Sequence, residues 1–194
     1  NPEIDSFLGA SVNTTSHGYF TLGSSGYETS GNTTKNSRID FSNDTAGVIE
    51  KGSLTQARKS LAGVGNQNYG YFGGGKSGNS TERLTGLSGY SNVDRLDYSS
   101  DSTNMSPKGP LSGARGYVAA TGNASYGYFA GGGSDVNSNV STIDRVDYAS
   151  DTATASPKGP MTDVLWGISA SGTPSYGYIY GGLGNQSLPF GYQP

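Results

Sequence analysis

The chain of 194 residues contains no cysteine and one histidine. Without thiols it can form neither disulfides nor thiolate-bound metal sites. Charged residues make up 14% of the chain and the net charge is −3, so the composition does not favour binding to a phosphate backbone. No apolar run approaches the roughly 20 residues that a membrane helix needs. We therefore expect no nucleic-acid partner and no membrane span.

What the chain has in excess is glycine and tyrosine. It contains 32 Gly and 8 Pro, together with 14 Tyr and 6 Phe. Glycine and proline interrupt helices and supply turns, whereas tyrosine and phenylalanine favour strands and can build a core. This composition predicts an all-β fold of many short strands joined by turns.

An aromatic segment recurs along the chain at a period of about fifty residues. Its glycines, at positions 18, 70, 127 and 177, are separated by 52, 57 and 50 residues. The four copies are Ser16-His17-Gly18-Tyr19-Phe20, Asn68-Tyr69-Gly70-Tyr71-Phe72, Ser125-Tyr126-Gly127-Tyr128-Phe129 and Ser175-Tyr176-Gly177-Tyr178-Ile179. Self-similarity at such a period is typical of repeat architectures.

Two further motifs recur in the same order and at matching spacings. The first reads Arg-apolar-Asp-aromatic and is followed by a second Asp; its copies begin at Arg38, Arg95 and Arg145. The second reads Lys-Gly-x-apolar and begins at Lys51, Lys108 and Lys158. Its first two copies are followed by Ala57-Arg58 and Ala114-Arg115. Three motifs in constant order indicate a true repeat.

Alternation of apolar with small or polar residues predicts four strands in each period. In the third copy we place them at 117–121, 126–130, 142–148 and, more weakly, at 152–155, and we call these positions strands a, b, c and d. Four short antiparallel strands in about fifty residues are typical of a β-propeller blade, and the period fits a kelch-type blade.

The motifs resemble kelch repeats, in which a strand ends in Gly-Gly, the next ends in an Asp-Tyr pair, and an Arg precedes the following strand. The usual Trp of strand d is missing, since Trp166 lies elsewhere, so the repeats are kelch-like. Residues 119–129 and 144–160 also resemble repeat proteins encoded by tailed phages of marine cyanobacteria. That resemblance implies a virion-associated structural or decoration protein, with a virion or extracellular location, and not an enzyme.

The repeat places the whole chain, 1–194, in a single domain. We assign repeats to residues 18–69, 70–126 and 127–176, with partial blades at 1–17 and 177–194. Closed propellers have four to eight blades, so three periods leave strand edges that need partners. The partners come either from another chain, by self-association or contact with other virion proteins, or from the other end of the same chain. We expect these contacts to involve Asn1–Phe20 and Tyr176–Pro194.

Residues that recur in every repeat are expected to stabilise the blades rather than to bind a ligand. We assign the recurring Tyr and Phe to the core between blades, with Tyr71 and Tyr128 largely buried, and the Gly73-Gly74-Gly75 triplet to a turn rather than a phosphate loop. The arginines that begin the Arg-apolar-Asp motif are expected to pair laterally with a neighbouring blade.

The two carboxylates of each Asp-aromatic-x-x-Asp turn have two possible uses. They could hold a cation such as Ca²⁺, but such sites need six or more oxygen ligands, and an Asp at a turn more often caps its own backbone. We therefore favour capping. The turns are Asp40/Asp44, Asp97/Asp101 and Asp147/Asp151.

The loops between strands b and c differ in length between copies. Variable loops on a rigid framework are where binding residues are commonly found. On that face the candidate contacts for a glycan or a protein are Tyr27, Tyr90, Asn137 and Asn139. No catalytic residues are predicted, because the single histidine, His17, lies in the least regular copy and is assigned a structural or solvent-facing role. No metal site or cofactor is predicted either. A glycan-binding host-adhesion module is the alternative function.

Overall fold

The computed structural model describes residues 6–7, 9–25, 31–43, 45–77, 88–133 and 138–184. These residues form an all-β structure, as predicted from the sequence. Their helical segments are two 3₁₀ turns, Tyr98–Ser100 and Tyr148–Ser150. None of the described segments is a helix that is long and apolar enough to cross a membrane.

Twelve of the strands form three antiparallel sheets of four strands each. The first sheet contains β2 (Ala10–Asn13), β3 (His17–Thr21), β5 (Asn36–Asp40) and β6 (Ile49–Lys51). The second contains β7 (Ala62–Gly65), β8 (Tyr69–Gly73), β9 (Val93–Asp97) and β10 (Ser106–Lys108). The third contains β11 (Ala119–Gly122), β12 (Tyr126–Ala130), β13 (Ile143–Asp147) and β14 (Ser156–Pro157).

Two smaller pairings complete the described structure. Strands β15 (Trp166–Gly172) and β16 (Gly177–Leu183) form a two-stranded sheet, which we call the terminal hairpin. Strands β1 (Ser6–Phe7) and β4 (Ser24–Ser25) pair beside the first sheet. The terminal hairpin corresponds to strands a and b of a repeat, because Gly127 and Gly177 occupy the same position in their copies.

Each four-stranded sheet is a meander, in which strands a, b, c and d pair in chain order. The register is the same in all three sheets, because the tyrosine of strand b lies opposite the arginine of strand c. The pairs are Tyr19 and Arg38, Tyr71 and Arg95, and Tyr128 and Arg145. Side chains directly opposite in a sheet share a face, so each pair presents a phenol and a guanidinium together.

Successive sheets pack face to face through hydrophobic cores. The core between the first and second sheets contains Val12, Tyr19, Leu54, Leu61, Phe72, Leu96 and Met105. The core between the second and third contains Ala62, Val64, Tyr71, Val93, Leu111, Val118, Phe129, Val146 and Ala155. A smaller cluster of Ala119, Ala130 and Ile168 joins the third sheet to the terminal hairpin. The repeat thus buries one face of each sheet against the next.

The linkers before strand a also join neighbouring repeats through their backbones. Tyr117 N donates to Ser60 O at 2.8 Å, and Gly167 N donates to Tyr117 O at 3.2 Å. All three residues have positive φ, between 57° and 63°. A positive φ is unfavourable for Ser and Tyr and favourable for Gly. The three linkers nevertheless share this backbone conformation, although only one of them has glycine at this position.

The structure corrects the predicted strand boundaries in the third repeat. Strand d was predicted at 152–155, but these residues form the turn that follows strand c, and the strand is Ser156–Pro157. A proline is compatible with this position because strand d is the edge of its sheet. Strand a begins at Ala119 rather than Tyr117, since Tyr117 has a left-handed conformation.

Burial of the recurring aromatics depends on the copy. Tyr71 is fully buried and Tyr19 is 2% exposed, as expected for the core. Tyr128 is only half-buried, contrary to the prediction, while Tyr178 is 58% exposed and Phe20 is 42% exposed. These three side chains are at least partly exposed because of where their sheets lie in the series of repeats. Among the described residues, no complete four-stranded sheet packs against them.

Candidate functional site

A carboxylate-binding cluster joins the first sheet to the second. The acid is Asp101, in the turn after strand c of the second sheet. Its Oδ2 accepts hydrogen bonds from the Arg38 guanidinium at 2.7 Å and from the Tyr19 hydroxyl at 3.0 Å. Lys51 Nζ lies 3.0 Å from Oδ1. Three donors from the first sheet therefore hold one carboxylate of the next.

This arrangement changes the acidity of its members. Burial disfavours the charged form of Asp101, but hydrogen bonds from Lys51, Tyr19 and Arg38 outweigh it, so the pKa of the carboxyl lies below its ordinary value. Burial, reinforced by the adjacent carboxylate, raises the pKa of Tyr19 to about 12. The cluster therefore keeps a charged Asp101 and a neutral phenol at neutral pH.

The same cluster occurs between the second and third sheets. Asp151 Oδ2 accepts from the Arg95 guanidinium at 2.7 Å and from the Tyr71 hydroxyl at 3.0 Å, and Lys108 Nζ lies 3.5 Å from Oδ1. The Arg95 guanidinium also lies 4.2 Å from the centroid of the Tyr69 ring. The predicted lateral ion pairs of Arg38 and Arg95 with a neighbouring sheet are thus confirmed. The sequence did not identify the tyrosine and lysine as partners.

The turn that carries each of these aspartates also carries a tyrosine whose ring packs against the preceding sheet. Tyr98, three residues before Asp101, stacks on Tyr19 with ring centroids 5.1 Å apart. Tyr148, three residues before Asp151, lies 4.6 Å from Tyr71 and nearly parallel to it. At each junction one sheet therefore contacts a whole Tyr-x-x-Asp turn of the next sheet, and not only its carboxylate.

The first aspartate of each turn has a different role. Asp97 accepts from Ser99 N at 2.9 Å and Asp147 accepts from Ala149 N at 3.0 Å, so both cap their 3₁₀ turns. Asp40 accepts from Ser42 N in the same way. Of the two roles considered from the sequence, the described residues show capping for the first aspartate of each turn. Asp101 and Asp151 instead form ion pairs, a role that the sequence did not assign to them. Asp44 lies outside the described residues.

A second polar network is buried inside the second sheet. The guanidinium of Arg58, which has no exposed surface, donates to Phe72 O, Gly74 O and Asp94 Oδ2 at 2.8 to 3.0 Å. Asp94 also accepts from Thr55 N and Oγ1.

Arg115 repeats this contact in the third sheet, 2.9 Å from Asp144. The recurring Ala-Arg motif was the sequence signal for these arginines. The network fixes the linker before strand a to strands b and c.

The predicted loop face is only partly within the described residues. Tyr27 and Asn137 lie outside them. Tyr90 is half-buried, and its backbone pairs with Gly75 and Arg115. Asn139 is 8% exposed and bridges to Gly133. Both residues follow strand b of their sheets, so the structure places them at the same end, and their contact with a ligand stays a prediction.

Two further aromatic residues, one in the linker before strand a of the third sheet and one at the start of β15, lie in neighbouring repeats. Tyr117 and Trp166 are both half-buried and meet edge to face, with ring centroids 5.1 Å apart. Lys76 Nζ lies 5.2 Å from the centroid of the Tyr117 ring. Backbone bonds from Gly75 N to Arg115 O and from Arg115 N to Tyr90 O connect this pair to the predicted loop face.

His17 is the first residue of strand b in the first sheet, directly after the turn from strand a. Its Nδ1 is 2.9 Å from Ser16 Oγ, and its Nε2 is 3.9 Å from Asp40 Oδ2. Asp40 is already bonded to Ser42, and the distance to the histidine is too long for a hydrogen bond. These contacts hold the turn against the end of strand c, in line with a structural role.

No protein-family model matches the chain, and no curated protein matches it. Its function is therefore inferred from its own residues.

Proposed function

We propose that the protein is a non-enzymatic structural component built from kelch-like β-propeller blades. In this proposal it belongs to a virus particle, as a tail, fibre or capsid appendage. The observation that carries the proposal is the junction seen twice in succession, in which Tyr, Arg and Lys of one sheet hold the Tyr-x-x-Asp turn of the next. Residues that recur at both junctions thus serve to join repeats.

The packing of strand a supports blades rather than independent sheets. Strand β2 packs against β7, β7 against β11, and β11 against β15. In a propeller the first strand of each blade lies closest to the central axis, where neighbouring blades converge. The backbone bonds that link Ser60, Tyr117 and Gly167 run across the same three linkers. We propose that they encircle such an axis.

Placement in a virus particle follows from the resemblance of residues 119–129 and 144–160 to phage repeat proteins. The test is mass spectrometry of density-purified phage particles, combined with gold-labelled antibodies in electron microscopy. We expect the protein to co-purify with particles and the label to decorate an appendage. Recovery only in the particle-free fraction of infected cells would refute the proposed location.

Self-association through the two ends of the array is part of the same proposal. At one end Phe20, Phe41 and Ile49 are 42 to 54% exposed, and at the other Tyr176, Tyr178 and Tyr180 are 57 to 68% exposed. Exposed aromatic surface of this kind favours association. Sedimentation velocity of the purified chain should show a species larger than the 20.0 kDa of one chain. A monomer at high concentration would contradict it.

A glycan-binding adhesion module is the second candidate, favoured by the half-buried Tyr117 and Trp166. Aromatic faces beside polar loops are suited to stacking on sugar rings. A glycan array should then give hits that Trp166→Ala abolishes and that Tyr180→Ala, a change at an exposed tyrosine of β16, leaves intact. Absence of hits with the natural chain would remove this candidate.

A further inference from the structure

The third sheet carries the same three donors as the first two. Tyr128 lies directly opposite Arg145 in the strand register, and Lys158 occupies the position of Lys51 and Lys108. The Arg145 guanidinium lies 4.3 Å from the centroid of the Tyr126 ring, which matches the 4.2 Å between Arg95 and Tyr69. Tyr128 and Arg145 are therefore arranged as Tyr71 and Arg95 are in the second sheet, and the lysine recurs at the same repeat position.

This third cluster has no acidic partner among the described residues. Neither Arg145 nor Lys158 forms a salt bridge with them. The Tyr128 hydroxyl has no hydrogen-bond acceptor there, unlike the hydroxyls of Tyr19 and Tyr71. Two cations whose counterparts share one carboxylate at each earlier junction thus have no carboxylate here among the described residues. Their charge is complementary to an aspartate that the described residues do not supply.

Open volume surrounds the cluster where a following turn would fit. A cavity of about 260 Å³ is lined by Tyr128 and Ile143 of the third sheet and by Pro174 and Tyr176 of the terminal hairpin. A second cavity, of about 210 Å³, is lined by Arg145 and the segment that connects strands c and d. At the preceding junction the corresponding surface of Tyr71 is covered by the Tyr148 ring.

The backbone shows the same difference between copies. Gly109 N donates to Asp151 O at 2.8 Å, and a Cβ on Gly109 would collide with Ala153 O. Gly159 stands at the same repeat position, yet a Cβ there would meet nothing within 4 Å. The turn that covers Gly109 therefore has no counterpart over Gly159 among the described residues.

The terminal hairpin supplies the other half of the same interface. In each complete sheet strand b pairs with strand a on one side and strand c on the other. Within the described residues β16 pairs only with β15, so its second edge has free backbone donors and acceptors. Such an edge can accept a further strand.

We propose that Tyr128, Arg145, Lys158 and the free edge of β16 form a docking site for one further β-hairpin. Its occupant is strands c and d of another repeat of this kind, joined by an Asp-Tyr-x-x-Asp turn. The first strand adds to β16, the tyrosine stacks on Tyr128, and the second aspartate pairs with Arg145 and Lys158. This inference rests on the proposed structural function and deepens it, because it names the segment that such a structural component binds.

The test uses a fluorescent peptide of residues 141–160, which contains the hairpin of the third repeat, titrated with the full chain. We expect a saturable rise in fluorescence anisotropy. Asp151→Asn in the peptide and Arg145→Gln in the protein should each weaken binding about tenfold, because each removes a charge-assisted contact. Combining them should give little further loss. Lys35→Gln, at an exposed lysine of the first sheet, is the matched control and should bind normally.

A second variant covers the case in which the free peptide does not form a hairpin. Gly184 and residue 134 occupy the same repeat position, so residues 135–160 fused after Gly184 would supply strands c and d in register. The fused chain should have a higher urea midpoint than the natural chain, and Asn at the grafted copy of Asp151 should reverse the gain.

The proposal is overturned if peptide binding is unaffected by Asp151→Asn and Arg145→Gln, and if the graft gives no gain in urea midpoint that its copy of Asp151 accounts for. Both measurements use purified protein, so their failure is distinct from a failure to find the protein on virus particles.

Discussion

Tyr71 and Tyr128 occupy the same position in neighbouring repeats, and replacing each one tests how the array is stabilised. The Tyr71 side chain is fully buried, stacks on Tyr148 at 4.6 Å and donates to Asp151 at 3.0 Å. Truncating a buried aromatic to alanine removes about 3–5 kcal/mol from the free energy of unfolding. We expect Tyr71→Ala to reach that range.

Tyr128 is the matched control, because its residue type, strand and register are the same. It is half-buried, no ring stacks face to face on it within the described residues, and its hydroxyl has no acceptor there. Tyr128→Ala should therefore remove only about 1–2 kcal/mol, since much of the side chain is already in water.

The conservative substitution to phenylalanine isolates the hydroxyl. Tyr71→Phe removes a hydrogen bond to a charged acceptor, which contributes about 1.5–3 kcal/mol. Tyr128→Phe should change the free energy of unfolding by less than about 0.5 kcal/mol. Urea denaturation followed by far-UV circular dichroism, with unchanged m-values, measures all four variants. Equal losses at the two positions would refute the view that the following sheet creates the environment of this tyrosine.

Sequence reasoning predicted the order of strands within a repeat because that order depends on local signals. Alternating aromatics mark β8 and β12, glycine clusters mark their ends, and the Arg-apolar-Asp motif marks strand c. It also predicted that Arg38 and Arg95 pair with the neighbouring sheet, because an arginine recurring on one strand face needs a partner outside its own sheet.

The burial of the recurring aromatic residues in each repeat could not be predicted from such local signals. Phe20, Phe72 and Phe129 are equivalent in sequence, yet the first is 42% exposed and the other two are fully buried. The difference arises from the sheet packed in front of each one, which is not encoded near the phenylalanine. Exposure in a repeat protein is set by neighbours about fifty residues away along the chain.

The candidate loop face was predicted only in outline. Variable loop length directs attention to one end of the sheets, and binding there stays a prediction; Asn139 is largely buried and bridges to Gly133. Tyr117 and Trp166 were missed because Tyr117 was assigned to strand a. Alignment of Ser60, Tyr117 and Gly167 contained the signal, since glycine in one copy indicates a backbone position that favours positive φ.

Three further predictions concern stability and are measured by urea denaturation. Arg58→Met should lower the free energy of unfolding by about 3–5 kcal/mol because it leaves Asp94 buried without its cation, and adding Asp94→Leu should recover part of that loss. Asp101 has a lower pKa in the folded chain than in the unfolded chain, so its contribution is complete above about pH 4 and disappears as the pH falls through the folded value. Asp101→Asn should accordingly reduce the difference in urea midpoint between neutral pH and about pH 3, and an unchanged difference would exclude this role. Gly109→Ala should lower the free energy of unfolding by more than about 2 kcal/mol, because the new methyl group collides with a backbone carbonyl of the following sheet. Gly159→Ala, the same change at the same repeat position, should have an effect within about 0.5 kcal/mol because that glycine faces open space. Equal destabilisation by the two glycine substitutions would mean that glycine is required by the local backbone of the repeat and not by the neighbouring sheet.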